Sequence, residues 1–385
     1  MNRSIIYILL MLLFYTAHIS AQKQEVLSIH WKMAGVLPAD NGQKQALGFA
    51  GPVVGIHNNV LIIAGGANFP DSMPWLGGRK KYCDDVYVLK KITNDSLENY
   101  KTFRLPFSVA YAATCTTPQG VLAAGGENEN GISNKVFLVQ WNDAAEIISI
   151  KHLPALPFAV TNASVVADGN FIYLAGGELT NGVSNQFVRF DLNDMAAGWK
   201  ALPSLLKPVS HAVMVIQSNG KYKCVYVMGG RKKNEGSTSE LYASTLQYDL
   251  KKEQWSEKNP LPYPLSAGTG TATGAHTILL FGGDKGETFH RTEEVMAAMT
   301  NETDEAKKQI LNQQKIQVQS THPGFSKEVL LYHTAKDRWA VIGSVPYDMP
   351  VTTTAIKWGN DVFIPSGEIR AGVRTPNILL GKLKP

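Results

Sequence analysis

The sequence predicts an all-β fold, a six-bladed β-propeller, because three markers recur in fixed order six times along its 385 residues. The first is an apolar run closed by paired glycines: Leu61-Ile-Ile-Ala-Gly65-Gly66, Val121-Leu-Ala-Ala-Gly125-Gly126, Ile172-Tyr-Leu-Ala-Gly176-Gly177, Val225-Tyr-Val-Met-Gly229-Gly230 and Ile278-Leu-Leu-Phe-Gly282-Gly283. A degenerate sixth copy reads Val362-Phe-Ile-Pro-Ser366-Gly367. The second is a Trp before a Leu-Pro or Val-Pro, at Trp31, Trp141, Trp199, Trp255 and Trp339, with Phe103 standing in for the remaining copy. The third follows each proline turn: Leu47-Gly-Phe49-Ala, Val109-Ala-Tyr111-Ala, Val160-Thr-Asn162-Ala, Val209-Ser-His211-Ala, Leu265-Ser-Ala267-Gly and Val351-Thr-Thr353-Thr.

Each unit has the length of four short strands with their turns. Paired glycines let the chain leave a crowded inner strand in conformations closed to residues with a Cβ. A Trp ring suits the wedge that widens between neighbouring blades.

Along the chain, residues 1–21 read as a secretory signal peptide: Arg3, the apolar run Ile5–Tyr15, then small residues up to Ala21. The propeller is expected over 22–385, exported to the periplasm or secreted, with no later membrane span. Ser28–Trp31 precedes the first Gly pair, whereas the last copy ends without a Trp strand. The N-terminal strand should therefore complete the sixth blade beside Asn377–Leu380, removing the open sheet edges. The second glycines fall at 66, 126, 177, 230, 283 and 367, and the last step marks an insertion over about 284–326 in blade 5. Thr292–Met299 and Thr303–Gln314 favour helix, with Asn301 as a cap. This helical pair is either a lid or a solvated insertion.

Composition narrows the partners. Formal charge is +5, charged residues make up 18% and no Lys/Arg run exceeds three residues, so nucleic acid is not an expected partner. Three cysteines without C-x-x-C spacing exclude a disulfide scaffold. The nine histidines show no H-x-H or H-x-x-x-H spacing, so no metal site is expected.

In a propeller, the loops after the Gly pairs and after the proline turns open on one face, around the channel. Candidates by position are Ala67, Glu127, Glu178, Arg231, Asp284 and Glu368, with Phe49, Tyr111, Asn162 and His211 lining the mouth. The loops Glu127-Asn-Glu-Asn-Gly131-Ile-Ser133 and Glu178-Leu-Thr-Asn-Gly182-Val-Ser184 agree with each other, so their Glu is read as an acceptor for loop N–H groups. In Glu368-Ile-Arg-Ala-Gly372-Val-Arg374 an arginine replaces the serine, and that departure points to function. Arg370 is read as solvated.

The Gly pairs and spaced Trp resemble kelch repeats. Ser366-Gly-Glu368-Ile-Arg-Ala-Gly372-Val-Arg374-Thr375 further resembles the Asn-Gly-Glu…Gly-Leu-Arg-Thr motif of the bacterial N-acetylneuraminate mutarotases, or sialic acid epimerases. Gly48–Gly51, Ala64-Gly-Gly-Ala67-Asn68-Phe69 and Gly78-Arg-Lys-Lys-Tyr82 resemble other segments of that family. The Glu/Arg motif lies near the C-terminus rather than mid-chain, as in a cyclically permuted branch. The resemblance implies that Glu368 and Arg374 are catalytic, and that the substrate is sialic acid or a close 2-keto sugar acid. Family roles carry over to those two residues only; Phe49, Asn68, Tyr111, Asn162, His211 and Arg231 are substrate-binding candidates by their place in the repeats. Anomer exchange needs a base for the anomeric hydroxyl and a donor for the ring oxygen, with no metal or cofactor. A guanidinium suits the substrate carboxylate. A homodimer stays open.

Two other readings compete. Many propellers only bind glycans or proteins, which would reduce Glu368 and Arg374 to a loop ion pair. A sialidase is disfavoured because its Asp-box has one weak echo, Asp284-Lys-Gly286-Glu-Thr288-Phe289.

Overall fold

The computed structural model describes residues 27–39 and 45–384, so the signal peptide read over 1–21 lies outside the described residues. Six four-stranded antiparallel sheets are present, and five follow chain order. Blade 1, for example, runs Val53–His57, Val60–Ala64, Asp85–Thr93 and Ser96–Arg104 from the channel outwards. Its second strand is buried throughout, because neighbouring blades cover both of its faces. That is why the strand before each Gly pair reads as a continuous apolar run rather than an alternating one.

Blade 6 is closed by the N-terminus. Ser28–Val36 pairs antiparallel with Asn377–Lys384, Trp31 opposite Gly381 and Val36 opposite Asn377. The Trp31 ring stands edge-on to Phe281 of blade 5, at 5.5 Å between centroids. Indole N–H groups stitch other seams: Trp199 Nε1 donates to Pro154 O (3.0 Å), Trp255 Nε1 to Pro203 O (2.7 Å) and Trp339 Nε1 to Asn259 O (3.0 Å). Trp141 departs from the expected position. It lies on the third strand of blade 2, Val136–Asn142, and packs edge-on against Tyr100 and Phe103 of blade 1.

The Gly pairs work by close approach. Gly125 has φ 70°, and a Cβ there would lie 2.2 Å from Val160 O of the next blade. At the ring's closing seam Ser366 takes this place, and its Oγ accepts from Phe49 N–H at 2.8 Å.

At the channel mouth a backbone ring links all six blades. Tyr111 N–H donates to Gly51 O, Asn162 to Tyr111 O, His211 to Asn162 O, Ala267 to His211 O, Thr352 to Ala267 O and Gly51 to Thr352 O, over 2.7–3.1 Å. All six residues have φ between 51° and 63°. This ring corrects the sequence register at two copies. Gly51, not Phe49, is the mouth residue of blade 1, and Thr352, not Thr353, that of blade 6. Outside the ring, Ala50↔Ala67, Ala110↔Glu127, Thr161↔Glu178, Ser210↔Arg231, Ser266↔Asp284 and Val351↔Glu368 form one bridge per blade.

The blade 5 insertion forms two helices, α1 (Glu287–Asn301) and α2 (Glu305–Ser320), both longer than expected. Asn301 ends α1, and the cap of α2 is Asp304, whose Oδ1 accepts from Lys307 N–H. Among the described residues no helix is long and apolar enough to cross a membrane.

Candidate active site

The bridges place the residue after each Gly pair beside the mouth, and five of the six, Glu127, Glu178, Arg231, Asp284 and Glu368, line a cavity of about 490 Å³, while Ala67 is buried. The insertion roofs one side. Glu293 of α1 holds the blade 4 hairpin by accepting from Ser239 N–H (2.8 Å) and Oγ (2.6 Å). From the far side, α2 abuts the turn Pro74–Leu76 of blade 1. Thr288, Phe289, Met296, His322 and Phe325 therefore line the same cavity as Glu368 and Arg374. Burial holds His322 below the usual imidazole range.

Glu368 and Arg374 face each other across the blade 6 hairpin, whose register slips between Glu368 and Arg370. Arg374 Nη2 lies 3.0 Å from Glu368 Oε2 as an ion pair, and Glu368 Oε1 accepts from Gly372 N–H at 3.0 Å. The Arg374 side chain is only 5% exposed, with the Phe69 ring 4.6 Å from its guanidinium carbon. Its Nε and Nη1 are buried and meet no acceptor. An unmet buried donor costs about 1–3 kcal/mol, which an acceptor placed here would recover.

Tyr111 stands next to this pair. Burial raises its phenol above the ordinary range, against the charges of Arg374 and Lys80, so it keeps its proton at neutral pH. Lys80 Nζ lies 5.0 Å from the Tyr111 ring centroid and 3.1 Å from Glu127 Oε1, which also accepts from Tyr82 OH at 2.8 Å. Burial alone would lower the Lys80 ammonium, but Tyr111, Glu127 and Tyr82 together raise it.

A second carboxylate–guanidinium group lies on blades 3 and 4. Arg231 Nη2 is 3.3 Å from His211 Nε2 and 3.8 Å from Glu178 Oε1, while His211 Nδ1 is 3.4 Å from Glu178 Oε1. An arginine can only donate, so Nε2 accepts and the proton sits on Nδ1, facing Glu178. Burial, then the Arg231 charge, holds His211 well below the usual imidazole range. Asn162 Nδ2 and Ser210 Oγ also point to Glu178, at 3.4 and 3.2 Å. Phe289 covers Arg231 as Phe69 covers Arg374, again at 4.6 Å.

Of the sequence candidates, Glu368, Arg374, Tyr111, Asn162, His211 and Arg231 come together around the cavity. Phe49 and Asn68 do not. Phe49 is 6% exposed within the core of blades 6 and 1, against Tyr87, as its corrected register requires. Asn68 is buried and donates to Gly48 O at 3.2 Å, tying down the chain beneath the mouth. Glu127 and Glu178 take none of the loop N–H bonds expected of them. Glu368 does accept from its own loop's backbone, at Gly372 N–H. Arg370 is exposed, 3.7 Å from Asp348. Phe69 and Lys80 lay within the resembling segments, but no repeat position marked them. Phe289 and His322 come from the aperiodic insertion.

The chain matches the N-acetylneuraminate epimerase family over residues 14–148 and 153–385. Among curated proteins it is 23% identical over 251 residues to an N-acetylneuraminate epimerase of Brucella melitensis, covering 65% of this chain and 63% of that protein. A Yersinia enterocolitica protein of that name is 25% identical over 233 residues, covering 60% and 57%. One from Vibrio vulnificus is 33% identical over 123 residues, covering 29% and 31%. The chain thus spans somewhat under two thirds of the length of the curated relatives it matches.

Proposed function

The chain belongs to the N-acetylneuraminate epimerase family, and from that premise we propose that it interconverts the α and β anomers of N-acetylneuraminate or a close 2-keto sugar acid. The observation that carries this reading is the Glu368–Arg374 pair, with guanidinium donors buried and unmet beside a sugar-sized cavity.

In this reading Arg374 takes the substrate carboxylate, adding charge-assisted bonds to donors that now have none. Glu368 accepts the proton of the anomeric hydroxyl as the bond from the anomeric carbon to the ring oxygen breaks. Tyr111, kept protonated by burial, gives its proton to that ring oxygen. The open-chain keto acid turns its carbonyl face, and the steps run in reverse to close the other anomer. Proton count is restored to Glu368 and Tyr111 at the end of each cycle. Uncatalysed opening already proceeds in water, so two proton-transfer groups and one anchor are enough.

A circular permutation moves the chain ends around a closed ring without moving the site, so the place of the Glu368/Arg374 motif near the C-terminus leaves this reading intact. The leader pattern of residues 1–21 supports export to the periplasm. The deciding experiment follows freshly released α-N-acetylneuraminate by NMR with and without the protein. Exchange faster than buffer supports the assignment. A wild-type rate equal to buffer on every sialic acid replaces it with a non-catalytic binding propeller.

A further inference from the structure

We propose that Arg231, Glu178 and Asn162 form a second recognition station that binds the polyhydroxyl tail of the sugar acid, so that the cavity selects substrates by chain length. This rests on the reading just given, in which Arg374 takes the carboxylate end.

Position comes first. Arg374 belongs to blade 6 and Arg231 to blade 4, so the two guanidiniums stand a third of the ring apart around one cavity. The mouth residue of the blade between them is Ala267, whose methyl group is the smallest side chain on the non-glycine ring positions. At the mouth itself a ligand held at Arg374 therefore meets only a methyl group on the way to Arg231, with the Asp284 carboxylate of the same blade as a further acceptor for hydroxyl groups.

Chemistry then separates a polyol from a second anion. The Arg231 charge is already faced by Glu178 at 3.8 Å, and a ligand carboxylate would meet that glutamate as a like charge. His211 is neutral and adds no positive charge. What the station offers instead is mixed: a buried Arg231 Nε without an acceptor, the Glu178 carboxylate as acceptor, and Asn162, which can do both. Hydroxyl groups on adjacent carbons both donate and accept, so they match that set. The Phe289 ring over Arg231 supplies the apolar surface on which the carbon chain can lie.

The test compares N-acetylneuraminate with its seven-carbon analogue, made by periodate cleavage and borohydride reduction of a 2-glycoside, which shields the keto group, and then released by mild acid hydrolysis. Affinity is read by calorimetry and anomer exchange by NMR, for wild type and for Arg231→Met. Wild type should bind the shortened acid ~10- to 100-fold more weakly, the loss of one or two charge-assisted hydrogen bonds. Arg231→Met should bind the full-length acid as weakly as wild type binds the short one, with little further loss for the short acid. Glu178→Gln, which keeps shape, should narrow the same gap and serves if Arg231→Met does not fold. Equal wild-type affinity for both acids, or equal losses on both from Arg231→Met, overturns the station. Accelerated exchange without chain-length discrimination refutes the station and leaves the mutarotase reading standing. Discrimination in binding without accelerated exchange does the reverse, and no binding of either acid overturns both.

Discussion

Arg374 and Glu368 meet through a single contact, Nη2 to Oε2 at 3.0 Å, while the Nε and Nη1 donors of the same guanidinium are buried without an acceptor. A partner that used the pair only for stability would have met those donors. Arg374→Lys keeps a charge beside Glu368 but loses the planar array of donors. Affinity for N-acetylneuraminate should fall ~10- to 100-fold by calorimetry while the melting temperature changes little. Unchanged affinity would remove Arg374 from the carboxylate site.

Glu368→Gln preserves the hydrogen bond from Gly372 N–H and removes the base. Exchange should fall by about 10²–10⁴-fold, towards the spontaneous rate. Glu127 is unsuitable as a control, because it pairs with Lys80 and Tyr82 on the cavity wall. Glu129→Gln is the better one: Glu129 is exposed and bonds Ser108 Oγ at 2.7 Å. If Glu368→Gln exchanges as fast as Glu129→Gln, the base lies elsewhere.

Tyr111→Phe deletes one hydroxyl and retains the ring that lies over Gly51. A proton donor to the ring oxygen acts in the transition state, so kcat should drop by about 10²-fold with KM nearly constant. A rise in KM at constant kcat would make Tyr111 a binding residue only.

The buried His211 gives stability a pH dependence of predictable sign. Its folded-state pKa lies well below the unfolded value of 6.5. Between those values the unfolded chain binds a proton that the folded one refuses, so stability is complete above about pH 6.5 and declines as pH falls further. His57, His322 and His333 shift in the same direction. Urea midpoints from about pH 8 to about pH 5 should show this decline, and His211→Asn should flatten it. Asn is suited to the backbone here, as Asn162 already occupies the equivalent ring position at φ 54°. Parallel slopes for the two proteins would show that His211 does not carry the effect.

Closure by the N-terminal strand can be weighed through Trp31, which is buried between blades 5 and 6 against Phe281. Trp31→Ala should cost about 3–5 kcal/mol in chemical denaturation. A loss below ~1 kcal/mol would mean the seam does not limit stability.

Blade number, ring closure and the insertion's place were legible in the sequence because each repeats, or interrupts, a main-chain requirement. Paired glycines recur because the next blade's carbonyl leaves no space for a Cβ, as at Gly125. The first mouth position was misread because Leu47-Gly-Phe49-Ala imitates Val109-Ala-Tyr111-Ala two residues out of register, and the last because Val351-Thr-Thr353-Thr imitates it one residue out. Gly51 before Pro52 carried the missing signal, for the site demands φ 63° and a Cβ there would lie 2.6 Å from Tyr111 N. The partnerships of Glu127 and Glu178 were illegible for another reason. Their cations, Lys80 and Arg231, arrive from neighbouring blades, and a comparison of one repeat with the next holds no information about what crosses between them.

The six hydrogen bonds around the mouth also bear on how such a site can change over time. Since closure there is written in peptide groups, the side chains at Tyr111, Asn162, His211, Ala267 and Thr352 behave as a dial with separable settings, each exchangeable without undoing its neighbours' linkage. The toll is a left-handed backbone at every setting, about 1–3 kcal/mol for residues other than glycine, which favours Asn and Gly and penalises β-branched residues such as Thr352. A lineage could therefore retune what the cavity accepts one wedge at a time, long before any substitution threatened the architecture that presents it.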